Sequence, residues 1–158
     1  MKPHIPSRSP FILYVDRLKN EEVEHISEQV DPSFMDVAEK ELVFSDNVYV
    51  SGKAYLTDSH VILDLKLKAY AKLPCSICNE LFSTPIVIEK FSHAQDLSEV
   101  KGAIYSYEDE IRSALLLKLP LYNECSNGNC PERKEISKHF KKPCSDTHTP
   151  FSDLTHGD

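Results

Sequence analysis

Two pairs of cysteines are the residues of this 158-residue chain whose types and spacing are best suited to chemistry. Two residues separate Cys75 from Cys78 in "KLPCSICNEL", and four residues separate Cys125 from Cys130 in "ECSNGNCPER". Each pair can supply two thiolates to one ion, and two pairs complete a tetrahedral shell with bonds of about 2.3 Å to Zn2+. The spacing predicts one zinc site with all four cysteines as ligands, brought together by folding.

Other interpretations of these cysteines stay open. Cys75 and Cys78 also have the spacing of a redox pair, although they lie between two predicted strands rather than at the start of a helix in a βαβ unit. Free cysteines are often simply small buried side chains. Cys144 and His139 are alternative ligands to a member of the second pair, although the position of Cys144 beside the C-terminal tail favours a spectator thiol.

Basic side chains flank both cysteine pairs and are the candidate RNA contacts. One group precedes the first pair, and the other follows the second pair and extends to Lys141 and Lys142. If the pairs share a metal, the two groups converge and, with Tyr70, form a small RNA-binding patch. A solvated surface is the alternative interpretation of either group. The predicted RNA-binding residues are Lys66, Lys68, Lys72, Arg133, Lys134 and Lys138.

Composition limits the classes of function. The 18 Lys and Arg against 25 Asp and Glu give a net charge of -7, so RNA contact must be local or made through a basic protein partner. Five cysteines are an odd number, which disfavours a disulfide framework. No nucleophile elbow, phosphate loop or dinucleotide fingerprint is present, and only four glycines are available to form one. The prediction is a protein that is not an enzyme and has no small-molecule substrate.

The chain organisation predicts one cytoplasmic domain with no membrane association. Residues 1–9 form a leader without an apolar segment, and the longest aliphatic run, residues 114–117, is far too short to span a membrane. A single domain is predicted for residues 10–142. Residues 143–158 are predicted to be a disordered tail.

A long hairpin is the clearest element that must position the cysteines. From residue 61 to residue 73 every odd position is aliphatic, while Asp64 and three lysines lie between them, which indicates one strand with a solvated face. Residues 48–56 alternate likewise, and "TDSH" supplies the turn, so residues 47–73 are predicted to pair as an antiparallel hairpin. Gly52 is predicted to mark a bulge.

The remaining elements are shorter. Residues 11–18 and 82–91 are predicted strands, with Pro85 tolerable only at an edge or a bulge. Residues 20–30 are predicted to form an amphipathic helix. Residues 106–120 are predicted to form a second helix, capped by Ser106, whose apolar stripe comprises Ile111, Ala114, Leu115 and Leu119. The expected fold class is α+β, a mainly antiparallel sheet or partly open barrel with two or three short helices and a cysteine-knuckle region.

The order of these features resembles the YceD family, the large ribosomal RNA subunit accumulation proteins. In that family the first motif generally reads C-x-R-C-L-x-x-F, and the second is a helix that ends in a leucine-proline-leucine run before another cysteine. Ile77 stands where the family usually has arginine. The matching positions are Cys75, Cys78, Phe82, Glu110, Leu115, Leu117, Pro120, Leu121 and Cys125.

The resemblance implies a non-catalytic factor that supports accumulation or processing of large-subunit ribosomal RNA and assembly of the large ribosomal subunit. Its partner would be large-subunit ribosomal RNA or a ribosomal protein. Two alternatives remain from the residues themselves. One is a zinc-stabilised adaptor that binds a basic ribosomal protein through its acidic surface, and the other is a thiol redox protein.

Overall fold

The computed structural model describes residues 10–139, which form two antiparallel sheets and three short helices. The predicted leader (residues 1–9) and tail (residues 143–158), with Lys141, Lys142 and Cys144, lie outside the described residues. The strands are β1 (Ile12–Tyr14), β2 (Glu24–Val30), β3 (Val43–Phe44), β4 (Val48–Leu56), β5 (His60–Pro74), β6 (Leu81–Asp96) and β7 (Ile104–Ser106). The helices are α1 (Glu108–Leu117), α2 (Cys125–Gly128) and α3 (Arg133–Ser137).

The predicted hairpin is confirmed as β4 and β5, and β5 lies at the centre of the larger sheet. β4 pairs along one edge of β5, from Leu56 opposite Val61 to Tyr49 opposite Lys68, and β3 continues that edge. β6 pairs along the whole of the other edge. Leu73, the last residue of the predicted row of odd positions on β5, is only partly buried. The others are buried on the inner face as the alternation predicted: Val61, Leu63, Leu65, Leu67, Ala69 and Ala71.

The structure corrects the role of Gly52. The register of β4 with β5 is continuous at Gly52, and the irregularity in the sheet lies instead between Leu65 and Leu67, where β5 pairs with β6. A Cβ atom on Gly52 would lie 2.1 Å from the carbonyl oxygen of Asp64, and its φ of +150° is rare for other residues. Glycine is needed there because the two backbones approach closely.

The prediction of a helix at residues 20–30 is wrong. Glu24–Val30 is strand β2, which pairs with β4 from Glu24 opposite Ala54 to Val30 opposite Val48. Ile26 and Val30 are buried by this pairing, whereas Val23, which the helical stripe required to be buried, is 44% exposed. Sheet pairing overrode a helical pattern that rested on only three apolar residues.

The bounds and caps of the other elements agree only in part with those predicted from the sequence. The first strand ends at Tyr14, and Val15–Leu18 forms a 3-10 turn instead of continuing the strand. The third predicted strand is longer than expected, and Pro85 lies on it at the edge of the sheet, as required. Ser106 is not the cap of α1, because the N-cap position is Tyr107 and no side chain caps it.

α1 covers the inner face of the larger sheet at one side of the core. Ile111 and Leu115 of its predicted stripe are fully buried, and Ala114 and Leu119 are partly buried against the core. Arg112 donates from Nε to the carbonyl oxygen of Met35 at 2.7 Å, which ties the helix to the 3-10 turn Pro32–Met35.

The predicted fold class is confirmed. The chain is α+β, with a curled, half-barrel antiparallel sheet, three short helices and a cysteine cluster. Within residues 10–139, no helix combines the length and the apolar character needed to cross a membrane.

Candidate metal centre

The first cysteine pair lies in the tight turn that joins β5 to β6. Cys75 directly follows β5, and its backbone N–H donates to the carbonyl oxygen of Glu80 at 2.9 Å. Asn79 donates from its backbone to the carbonyl oxygen of Cys75 at 2.9 Å and adopts a left-handed φ of 65°. The chain therefore reverses within a few residues, which turns both sulfurs toward the same side.

The second pair lies in a turn formed by α2, a single kinked turn whose Ser126 and Asn127 lack helical dihedral angles, and the residues that follow it. Ser126, Asn127 and Gly128 have successive positive φ values of 55°, 54° and 86°. This left-handed stretch separates Cys125 from Cys130 and bends the backbone between them. Asparagine and glycine tolerate such angles better than most residues, which explains the composition of "CSNGNC".

Asn123 fastens the two turns together. Its carbonyl oxygen accepts from the backbone N–H of Ser76 at 2.6 Å, and its own N–H donates to the Ser76 hydroxyl at 3.1 Å. Its side-chain amide donates to Thr84 Oγ1 on β6 at 2.8 Å. These contacts hold the second pair against the first, although the two are far apart in sequence.

The four sulfurs form one cluster that can hold a metal ion. All four Sγ atoms lie within 4.8 Å of one another, and the sulfurs of Cys78 and Cys125 are 3.8 Å apart. Tetrahedral ligation with bonds of about 2.3 Å requires sulfurs about 3.8 Å apart, which is the separation of Cys78 and Cys125, and the whole cluster is compact enough to hold a single ion. Cys75 is fully buried and Cys130 is 4% exposed. His139 is not part of this cluster.

Backbone N–H groups inside the cluster favour a thiolate at Cys75. The N–H groups of Ile77 and Cys125 each donate to Cys75 Sγ at 3.4 Å. Burial raises the pKa of Cys75, but the backbone groups of Cys125, Cys78 and Ile77 outweigh it and lower that pKa to about 6. Burial and the neighbouring thiols raise the pKa of Cys125, so a bound cation is needed before all four sulfurs ionise together.

Glu124 is a residue of the candidate site that the sequence did not predict. Its side chain is 5% exposed, and Oε1 accepts from the Cys130 backbone N–H at 3.0 Å and from Arg133 Nε at 2.9 Å. Oε2 accepts from the Tyr122 hydroxyl at 3.0 Å and from the guanidinium of Arg133. Hydrogen bonding to Arg133 and to Cys130 lowers the pKa of Glu124 to about 2. The only signal in the sequence is that Glu124 precedes Cys125.

Glu124→Gln is expected to weaken metal binding about 10-fold, because groups that orient ligands typically contribute 10- to 100-fold to affinity. The pKa of Glu124 is lowered from 4.5 to about 2, so its carboxylate is ionised at neutral pH. The contribution of this carboxylate to the stability of the fold is complete above about pH 4.5 and is lost only as the pH falls toward 2. Competition with a chelator at neutral pH measures the affinity. Glu135→Gln is the matched control, since Glu135 pairs on the surface with Lys138 at 2.8 Å. Equal affinities of the two variants would contradict a role for Glu124.

The six predicted RNA-binding residues lie in two places. Lys66, Lys68 and Lys72 are exposed on the outer face of β5, the face opposite the core, while Arg133, Lys134 and Lys138 are exposed on or beside α3. The two groups flank the cysteine cluster along the chain, but Lys66 is nine residues before Cys75, roughly 30 Å along an extended strand. Arg133 is already paired with Glu124.

Three of the five lysines among the predicted RNA-binding residues also contact a neighbouring side chain. Lys66 pairs with Glu89 at 2.7 Å, and Lys138 pairs with Glu135. The Nζ atom of Lys68 lies 5.4 Å from the centre of the Tyr70 ring. These are surface contacts of exposed side chains, which contribute little to stability and can rearrange when a ligand binds.

Comparisons of the chain with protein-family models, with curated proteins and with solved structures found no match. The fold and the site by themselves define a class: a curled antiparallel sheet whose longest strands enter and leave a four-cysteine cluster able to hold a metal ion.

Proposed function

We propose that this protein is a non-catalytic, cytoplasmic RNA-binding factor that supports accumulation of large-subunit ribosomal RNA and assembly of the large ribosomal subunit. The family resemblance of the cysteine and leucine-proline motifs supplies the ribosomal context. The observation that carries the proposal is the charge of the outer face of the β4–β5 hairpin, which differs in sign from the chain as a whole.

That outer face is basic. On β4 and β5 the residues that point away from the core include Lys53, Lys66, Lys68 and Lys72, against a single acid, Asp64. On β6, Glu89 pairs with Lys66, and Lys90 is exposed nearby. The chain carries a net charge of -7, so the acids are concentrated elsewhere. A local basic face on an acidic protein favours selective contact with phosphates at one surface over general binding to nucleic acid.

We propose that the metal is Zn2+ and that its role is structural. Tetrahedral sites with four sulfur ligands are typical of zinc or iron–sulfur centres, and closed four-cysteine shells are the usual structural zinc sites. Four protein ligands leave no open position for water or substrate, which supports a non-catalytic role. A bound ion would hold the turn between β5 and β6 against the segment that leads into α3.

Replacing lysines tests direct RNA binding. Joint substitution of Lys68, Lys72, Lys134 and Lys138 by Ala should weaken binding to large-subunit ribosomal RNA. The slope of log affinity against log salt should fall by about 0.7 to 0.9 for each lysine that no longer neutralises a phosphate. Lys19→Ala is the control, because Lys19 is an exposed lysine that pairs with Asp16 and belongs to neither basic group. An unchanged slope would contradict direct RNA binding and would indicate a protein partner.

A second candidate is an adaptor that binds a basic ribosomal protein. The acidic first turn of α1, with Glu108, Asp109 and Glu110, favours it because this turn concentrates negative charge away from the basic face. Purification from cells with and without ribonuclease treatment separates the candidates. A ribosomal protein retained after RNA is digested supports the adaptor, whereas its loss supports RNA binding.

A further inference from the structure

Two tyrosines lie beside the lysines of the basic face. Tyr49, Ser51, Lys66, Lys68 and Tyr70 line an open depression of about 390 Å³ on the outer side of β4 and β5. Tyr49 is directly opposite Lys68 in the register, and Tyr70 lies two residues further along β5. Diagonal neighbours of this kind have Cα atoms about 7–8 Å apart, so the two rings can contact two different bases of one strand.

The rings and the lysines offer complementary contacts to a nucleotide chain. Tyr49 is 45% exposed, which leaves the ring accessible to a flat aromatic ligand. Tyr70, chiefly through hydrogen bonding, raises the pKa of Lys68, which favours the charged form of this lysine. Base stacking on aromatic side chains is tolerant of sequence because every base has a π face, while lysines follow the phosphates.

The depression favours unpaired RNA over a duplex. In a duplex the faces of the bases are covered by their neighbours in the stack, so only phosphates, hydroxyls and groove edges remain accessible. Lysines alone would serve a duplex, whereas the exposed ring of Tyr49 and the partly buried ring of Tyr70 can also stack on unpaired bases. The surface is a sheet face, and sheet faces with aromatic side chains are one of the common ways in which proteins bind single-stranded RNA.

We infer that the outer face of β4 and β5 binds a single-stranded RNA segment, with Tyr49 and Tyr70 stacking on its bases and Lys66 and Lys68 contacting its phosphates. This inference rests on the proposed RNA-binding function and specifies the form of RNA that is bound. It also separates the lysines of β5, which lie beside tyrosines that can stack on bases, from the basic residues of α3. The tyrosine beside Arg133 of α3 is Tyr122, whose hydroxyl is already bonded to Glu124 and Arg133.

Fluorescence anisotropy with the full chain tests this inference. It measures binding of a labelled single-stranded RNA and of the duplex of the same sequence. Wild type should bind the single strand more tightly. Tyr49→Leu and Tyr70→Leu should each weaken single-strand binding by about 5- to 150-fold, since stacking contributes about 1–3 kcal/mol per base. The salt slope should stay unchanged because every lysine that meets a phosphate is kept. Tyr49→Phe should bind like wild type.

Tyr14→Leu is the control, because Tyr14 lies on β1, outside this face. Thermal unfolding of each variant checks that the fold is kept. Equal binding of single strand and duplex, with no effect of either leucine variant, would overturn the inference and leave the RNA-binding function in place. Binding of neither form of RNA would overturn the proposed function itself.

Discussion

Cys78→Ser and Cys130→Ser are each expected to release the metal ion and to lower the melting temperature by the same large amount. The two residues come from different turns, yet all four sulfurs lie within 4.8 Å of one another, so each turn supplies half of one shell. A metal present at about 1,000 times its dissociation constant stabilises the folded state by about 4 kcal/mol. For a domain of this size the loss corresponds to a fall on the order of 10 °C.

The pattern across variants separates the metal centre from a redox pair. Cys144→Ser should keep the metal, because Cys144 is predicted to be a spectator. If Cys75 and Cys78 act instead as a redox pair, they should oxidise to a disulfide whether or not Cys125 and Cys130 are present. Metal retained by Cys130→Ser would contradict the four-cysteine centre.

Leu65→Asp is expected to prevent stable folding. Leu65 is 3% exposed on the inner face of β5, where the side chain packs in the core shared by β4, β6 and α1. The substitution loses about 2 kcal/mol of apolar burial and adds the cost of placing a carboxyl group without partners in the core. The sum of several kcal/mol is comparable to the total stability of a typical domain.

Lys66→Asp is the matched control for this substitution. Lys66 is the next residue on the same strand but points to solvent, where its side chain is 54% exposed. This variant should still fold, because it loses only a surface pair worth about 1 kcal/mol or less and adds a similarly small repulsion between the new carboxylate and Glu89. Urea unfolding measures both variants. Cooperative unfolding of a soluble Leu65→Asp protein would show that this face of β5 does not carry the core.

The sheet was predictable where its signal is local. Every odd position of β5 is aliphatic over a dozen residues, so the strand and its buried face followed from period 2, and the turn to β4 followed from the local turn chemistry of "TDSH". The helical stripe at residues 20–30 had only three apolar members, and pairing with β4 decided the structure instead. Likewise, the need for Gly52 depends on the approach of a neighbouring strand, which no spacing in the sequence reveals.

The ligands of the candidate site were predictable, but the residues that hold them were not. Cysteine pairs have a recognisable spacing because one turn must present two sulfurs to one ion. Glu124 and Asn123 act by hydrogen bonds across turns that are brought together only by folding, and their types are common in loops. The same holds for Tyr49, which becomes a neighbour of Lys68 only through the register of β4 with β5.

The metal content of the wild-type protein, purified under reducing conditions and without added metal, tests the four-cysteine centre most directly. Elemental analysis should find close to one zinc ion per chain, because the fold gathers four sulfurs within 4.8 Å of one another, close enough for one tetrahedral ion to bind them all. Removal of that ion by a chelator should lower the melting temperature, and adding zinc back should restore it. Protein that is folded and reduced but holds no metal would contradict the centre, and the four cysteines would then be ordinary buried thiols.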